Sequence, residues 1–117
     1  MPTLLKDEAL TTIALEWSKH LAETANLTHG DFEDRIAQIG YSEYQCGEII
    51  AMYGGWTPTL GRKFVDMWLG SLGHYQIMMT ALSGYMGVGV SKGSQVSLPW
   101  SISVLSNHNH MRIAEKL

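Results

Sequence analysis

The stretch Cys46-Gly47-Glu48-Ile49-Ile50-Ala51-Met52 decides the fold. It is short, apolar around a single carboxylate, and closed by Gly54-Gly55, a pattern that suits a buried strand better than a helix. Helical periodicity appears on both sides of it. Upstream, between Leu4 and Ala25, the apolar positions Leu10, Ile13, Ala14, Trp17 and Leu21 recur at three- and four-residue steps, while Lys6, Glu16, Lys19 and Glu23 fall largely outside that stripe. Asn26 to Gly30 is a short connector. Asp31 then caps a second helix with Glu33 and Asp34 in its first turn and Gly40 at its end, and with Phe32, Ile36 and Ile39 facing inward. Downstream, Thr57-Pro58 marks a third helix whose Leu60, Phe64, Val65, Trp68 and Leu69 repeat at helical spacing, with an end near Gly70 to Gly73.

His74 opens a short helical stretch through Met79, and Ser83-Gly84 turns the chain into Tyr85-Met86-Gly87-Val88-Gly89-Val90. A glycine at every second position of a strand predicts a close neighbour on one face. Lys92-Gly93-Ser94 reads as a hairpin turn, and Gln95 to Ser106 alternates as the partner strand, which Pro99 restricts to an edge or a bulge. The expected fold class is therefore α+β. It is an α-β-α sandwich with a small, mainly antiparallel three-stranded sheet built from the Cys46 region, Tyr85–Ser91 and Gln95–Ser106 and covered on both faces by helices. Residues 1–106 form a single domain, and 107–117 a polar C-terminal tail with a last helical turn from Met111.

Composition narrows the function. The 117 residues are 45% hydrophobic and 16% charged, enough for one core and unlike a disordered or fibrous chain. The net charge is −3, with basic residues scattered rather than gathered into the stripe a nucleic-acid binder needs, so no nucleic-acid partner is expected. The N-terminal residues lack the pattern of a secretory signal, and no apolar run approaches the roughly 18 residues that span a bilayer. The single Cys46 makes no internal disulfide, so packing must supply the stability.

Three islands carry a resemblance by their order and spacing. They are Leu27-Thr28-His29, Gly47-Glu48-Ile49-Ile50-Ala51, and Trp68-Leu69-Gly70-Ser71-Leu72-Gly73-His74 followed by Gly87-Val88-Gly89-Val90. Together they resemble the CAP (SCP-like) superfamily of cysteine-rich secretory proteins, venom allergens and pathogenesis-related proteins, and most closely its compact bacterial branch. The resemblance spans Leu4 to Ser106. Departures from the family pattern are Ile49 for an asparagine, Leu72 for a proline, Tyr75 where bacterial members often carry arginine, and Ser71 at the second acidic position of eukaryotic members. The family's first long helix, which usually precedes the Leu4 region, is absent, so the resemblance implies a trimmed version or a chain that begins late. The resemblance implies that the family's four-residue cavity is reduced here to His29, Glu48 and His74. It also implies a mostly secreted family, linked to sterol or lipid binding and defence without one shared catalytic activity.

Distant in the chain, those three residues meet only if the resembled fold gathers them. Two imidazoles and a carboxylate would suit zinc or a similar divalent ion, with an open position for water or ligand. Alternatively, Glu48 accepts hydrogen bonds in a satisfied structural network. The favoured function is a binding or interaction module whose His29/Glu48/His74 cleft takes a small ligand, a lipid among the candidates, or a metal. The rivals are a structural subunit of a larger assembly such as a viral particle, and a metal-dependent hydrolase with Glu48 as general base. Whether the chain is an enzyme stays open, leaning against.

Cys46 reads either as a thiol nucleophile with His29 or His74 as base, or as a small buried hydrophobe. His108 and His110 read as a metal clip or as a solvated terminus. Trp17, Trp56, Trp68 and Trp100, with seven methionines, read as core or as a lipid slot.

Overall fold

A buried carboxylate fixes how the chain enters the fold. The computed structural model describes residues 5–42, 46–71, 84–95 and 97–107. Strand β1 (Leu5–Lys6) pairs in parallel with Tyr85 and Met86, and Asp7 follows it. The Asp7 N–H donates to the Met86 carbonyl at 2.9 Å, and its Oδ1 accepts from Leu10 N at 2.9 Å, while Oδ2 accepts from the Tyr41 hydroxyl. The side chain is thus the N-cap of α1 (Glu8–Thr24), so the helix expected from Leu4 starts four residues later. α1 buries Leu10, Ile13, Ala14, Leu21 and Ala22, largely the predicted stripe.

Helix α2 (Phe32–Gln38) is about two turns long and ends before Gly40, whose φ of 81° is the left-handed conformation glycine permits. Asp31 occupies the N-cap position, but its side chain makes no capping bond; its Oδ1 accepts from Arg35 Nε at 3.1 Å instead. Strand β2 (Cys46–Tyr53) starts where expected. Helix α3 (Leu60–Leu69) begins two residues beyond Pro58, because Thr57 first closes a turn: its carbonyl accepts from Leu60 N and its Oγ1 from Thr59 N.

Strands β3 (Tyr85–Lys92) and β4 (Trp100–Asn107) complete a sheet of order β1-β3-β4-β2. The three long strands are antiparallel as expected, and β1 adds a short parallel edge. β4 lies at the centre, not at an edge. It starts immediately after Pro99, so the missing proline N–H never enters the ladder. Asn107, assigned from sequence to the tail, is the last and fully buried residue of β4.

Each sheet face carries its own core. Ile49, Ala51, Ile102 and Val104 pack with Leu60, Phe64 and Trp68 of α3, and the Trp68 indole N–H donates to the Ile50 carbonyl at 3.0 Å. On the other face, Leu105 meets Leu10, Ile13 and Ala14 of α1 together with Ile36 and Tyr41. The predicted glycine contact is here as well. A Cβ on Gly87 would lie 2.6 Å from Thr11 Cα, and one on Gly89 2.5 Å from the Ala14 carbonyl carbon, so α1 rests directly on the β3 backbone. Not every tryptophan is core: Trp68 is buried and Trp17 and Trp100 half-buried, whereas Trp56, beside the open Gly54-Gly55, is 66% exposed. Among the described residues no helix is long and apolar enough to cross a membrane.

Candidate functional site

Period-two alternation along β2 sends Ile49 and Ala51 into the α3 core, which turns Glu48 toward the layer of α1 and α2. A carboxylate there must be paired, because an isolated buried charge costs far more than any packing it permits. Its side chain is 1% exposed, and Arg35 of α2 forks onto it: Nη1 donates to Oε2 at 2.6 Å and Nη2 to Oε1 at 2.9 Å. Such bidentate pairing is the strong, directional form of the ion pair.

Arg35 is held from several sides. Nε donates to Asp31, Nη2 also donates to the His29 carbonyl at 2.6 Å, and the guanidinium carbon lies 4.0 Å from the Trp17 ring centroid. Trp17 is fixed in turn by its indole N–H, which donates to the Thr28 carbonyl at 3.1 Å, and it stacks on His20 at 4.7 Å between centroids. Gly30, at φ 51°, lies so close that a Cβ there would be 2.6 Å from the Trp17 ring. The connector 28–30 is therefore moulded onto α1, and it carries His29 to the carboxylate.

His29 Nδ1 lies 2.8 Å from Glu48 Oε1, and its side chain is 52% exposed. Of the three residues expected in one cavity, the structure thus brings His29 and Glu48 together, 19 residues apart in the chain. His74 lies outside the described residues, as do His108 and His110 and the helical stretches expected from His74 and from Met111. Three of the roughly four lone-pair sites of the carboxylate are taken by Arg35 and His29. Among the described residues no group of three or more His, Cys, Asp or Glu side chains is arranged to hold a metal ion.

Arg35 is the functional residue missed from sequence. Its signal was there: a charge at position 35 sits inside the 32-36-39 stripe assigned to the core, where it needs a buried anion opposite. Cys46 does not look reactive. It packs with the Leu10 and Tyr41 cluster, and burial, with the nearby Asp7 carboxylate adding to it, pushes its thiol from 9.0 up to about 12, which leaves it protonated at neutral pH.

A four-stranded sheet between helical layers, with a histidine and an arginine converging on a buried strand carboxylate, defines a small α-β-α module with a polar site on its α1/α2 side. The family model of the cysteine-rich secretory protein family, CAP, matches residues 1–104, and the chain belongs to that family. Comparison with curated proteins gives no match.

Proposed function

We propose that the chain is a CAP binding module, and that a small polar ligand or a divalent ion is taken at His29. What supports this is one contrast of burial in a single hydrogen-bonded unit: Glu48 is sealed at 1% exposure while the His29 ring bonded to it is half open to solvent. A site built for water activation by Glu48 would need that carboxylate in reach of water, and here it is 1% exposed with three of its roughly four accepting positions taken by Arg35 and His29. The carboxylate serves as an anchor and the imidazole as the contact. For a metal, no group of three or more His, Cys, Asp or Glu side chains is gathered among the described residues, so a tightly held ion would draw further donors from ligand or solvent.

The test is a titration of isotope-labelled protein, once with Zn²⁺ and once with a library of small polar fragments, read on the His29 ring signals. The expected result is a saturable shift of the His29 ring in at least one arm, accompanied by the Thr28 and Gly30 backbone signals, which should stay unmoved in His29→Ala. Ring signals unmoved in both arms overturn the proposal.

A further inference from the structure

We propose that Arg35 is the positioning residue of this site: by clamping Glu48 as a fixed anion it holds the proton of neutral His29 on Nδ1 and leaves Nε2 as the bare nitrogen presented to solvent. The argument is one of donor and acceptor accounting. An arginine guanidinium is always charged and only donates. Two of its N–H groups point at Glu48, one on each oxygen, so both oxygens act as acceptors toward Arg35. Oε1 then faces Nδ1 of His29 at 2.8 Å, and between two acceptors no hydrogen bond forms, so Nδ1 carries the proton. With one proton on a neutral ring, Nε2 holds the lone pair. The same guanidinium donates to the His29 carbonyl at 2.6 Å, so the backbone and the ring of one residue are oriented by one side chain. Arg35 cannot easily rotate away, since Trp17 lies against its plane and Asp31 holds Nε. A lysine would keep the charge but not the fork, and could not bridge both carboxylate oxygens and the carbonyl.

What this means for ligand contact rests on the reading of His29 as the binding residue, but the protonated nitrogen is observable with no ligand present, so failure of one is distinguishable from failure of the other. The experiment is ¹⁵N spectroscopy of the histidine rings at a pH where His29 is neutral, in the wild type, Arg35→Lys, Arg35→Gln and Glu48→Gln. The wild type is expected to show Nδ1 protonated and Nε2 bare. Either arginine variant releases the Glu48 carboxylate and the His29 carbonyl that the guanidinium holds, so the Nδ1–Oε1 contact should open and the ring move toward the Nε2–H form common in free imidazoles. Glu48→Gln replaces one of the two acceptor oxygens by an N–H donor, so the two-pronged fork cannot form and the distinct Arg35 Nη signals should be lost. Should the arginine variants fail to fold, the wild type still decides through the Arg35 signals, because a clamped guanidinium gives distinct, slowly exchanging Nη resonances and a free one gives averaged ones. A wild-type His29 protonated on Nε2, averaged Nη signals, or a folded arginine variant with an unchanged ring overturns the proposal.

Discussion

Replacing Gly89 with alanine tests the link between sheet and site most directly. The added Cβ would sit 2.5 Å from the Ala14 carbonyl carbon and closer still to Leu15 N and Cα, all of them backbone atoms that no rotamer change can move. Carbon atoms rest at about 3.5–4.0 Å, so α1 has to withdraw by about 1 Å or more over the middle of its length. A gap of that size forfeits a quarter to a half of each dispersion contact along the seam, and the seam includes Leu10, Ile13 and Ala14. Overpacking of flexible side chains costs typically 1–3 kcal/mol, and a rigid backbone contact belongs at or above the top of that range, so we expect a loss of about 3 kcal/mol. In urea unfolding this appears as a lower midpoint at an unchanged slope, and in heating as a fall of about 10 °C or more. Trp17 lies one turn along α1 from Ala14, so its contact with Arg35 should loosen too, visible as a change in indole fluorescence. Val88→Ala, 40% exposed and turned to the opposite face by strand alternation, serves as control and should cost under about 1 kcal/mol. If Gly89→Ala lies within about 0.5 kcal/mol of wild type, the helix does not rest on that backbone and the packing argument fails.

Four further outcomes follow from the same structure. Arg35→Met strands a buried carboxylate and should cost about 3–5 kcal/mol, whereas Arg35→Met with Glu48→Leu should recover much of it; a single variant as stable as the double would refute the pairing. Gly30→Ala meets both a left-handed φ and the Trp17 ring and should lose about 1–3 kcal/mol by urea unfolding, with no loss expected only if the connector is free of α1. Tyr41→Phe removes the hydroxyl that donates to buried Asp7 and should cost about 1–3 kcal/mol in the same assay. The Cys46 thiol, raised from 9.0 to about 12 in the fold, makes a contribution to stability that is complete below pH 9 and is lost as pH rises through 9 to 12, since the unfolded chain releases the proton first; Cys46→Ala should flatten that part of the curve, and the native thiol should resist alkylation at pH 8 that the urea-unfolded thiol accepts.

How much of this was legible in the sequence depended on the range of the interactions involved. β2 and β3 were found nearly to the residue because alternation and paired glycines are local signals, and Gly87 and Gly89 even announced the close helix. Element starts were less legible. Asp7 caps α1 because Tyr41 and β3 hold it in place, Asp31 turns from the backbone N–H groups of α2 to the Arg35 side chain, and Pro99 stands just outside β4 instead of distorting it. β1 has two residues, too few to show any period. At the site, the family pattern named His29 and Glu48, but their 2.8 Å contact belongs to the fold alone. Arg35 escaped because its partner lies 13 residues on and on another layer, so nothing near it in the sequence marks the anion it meets.

The burial of Glu48 also constrains what evolution of this site can change cheaply. On β2, alternation commits Glu48 to the α2 side, and nothing there but Arg35 and His29 is shown bonded to it. Losing either end of the Arg35 pair leaves a buried charge, so the two must vary together. His29 is under no such constraint, because its ring is half in water and can be replaced at the cost of one hydrogen bond, about 0.5–1.5 kcal/mol, or up to about 3 where the acceptor is charged. The residue held least by stability is thus the one that faces solvent, which is the distribution expected of a contact residue on a rigid mount. His29→Ala should therefore leave the fold intact while removing the binding response, and a His29→Ala chain that unfolds like Arg35→Met would show that the ring is structural after all.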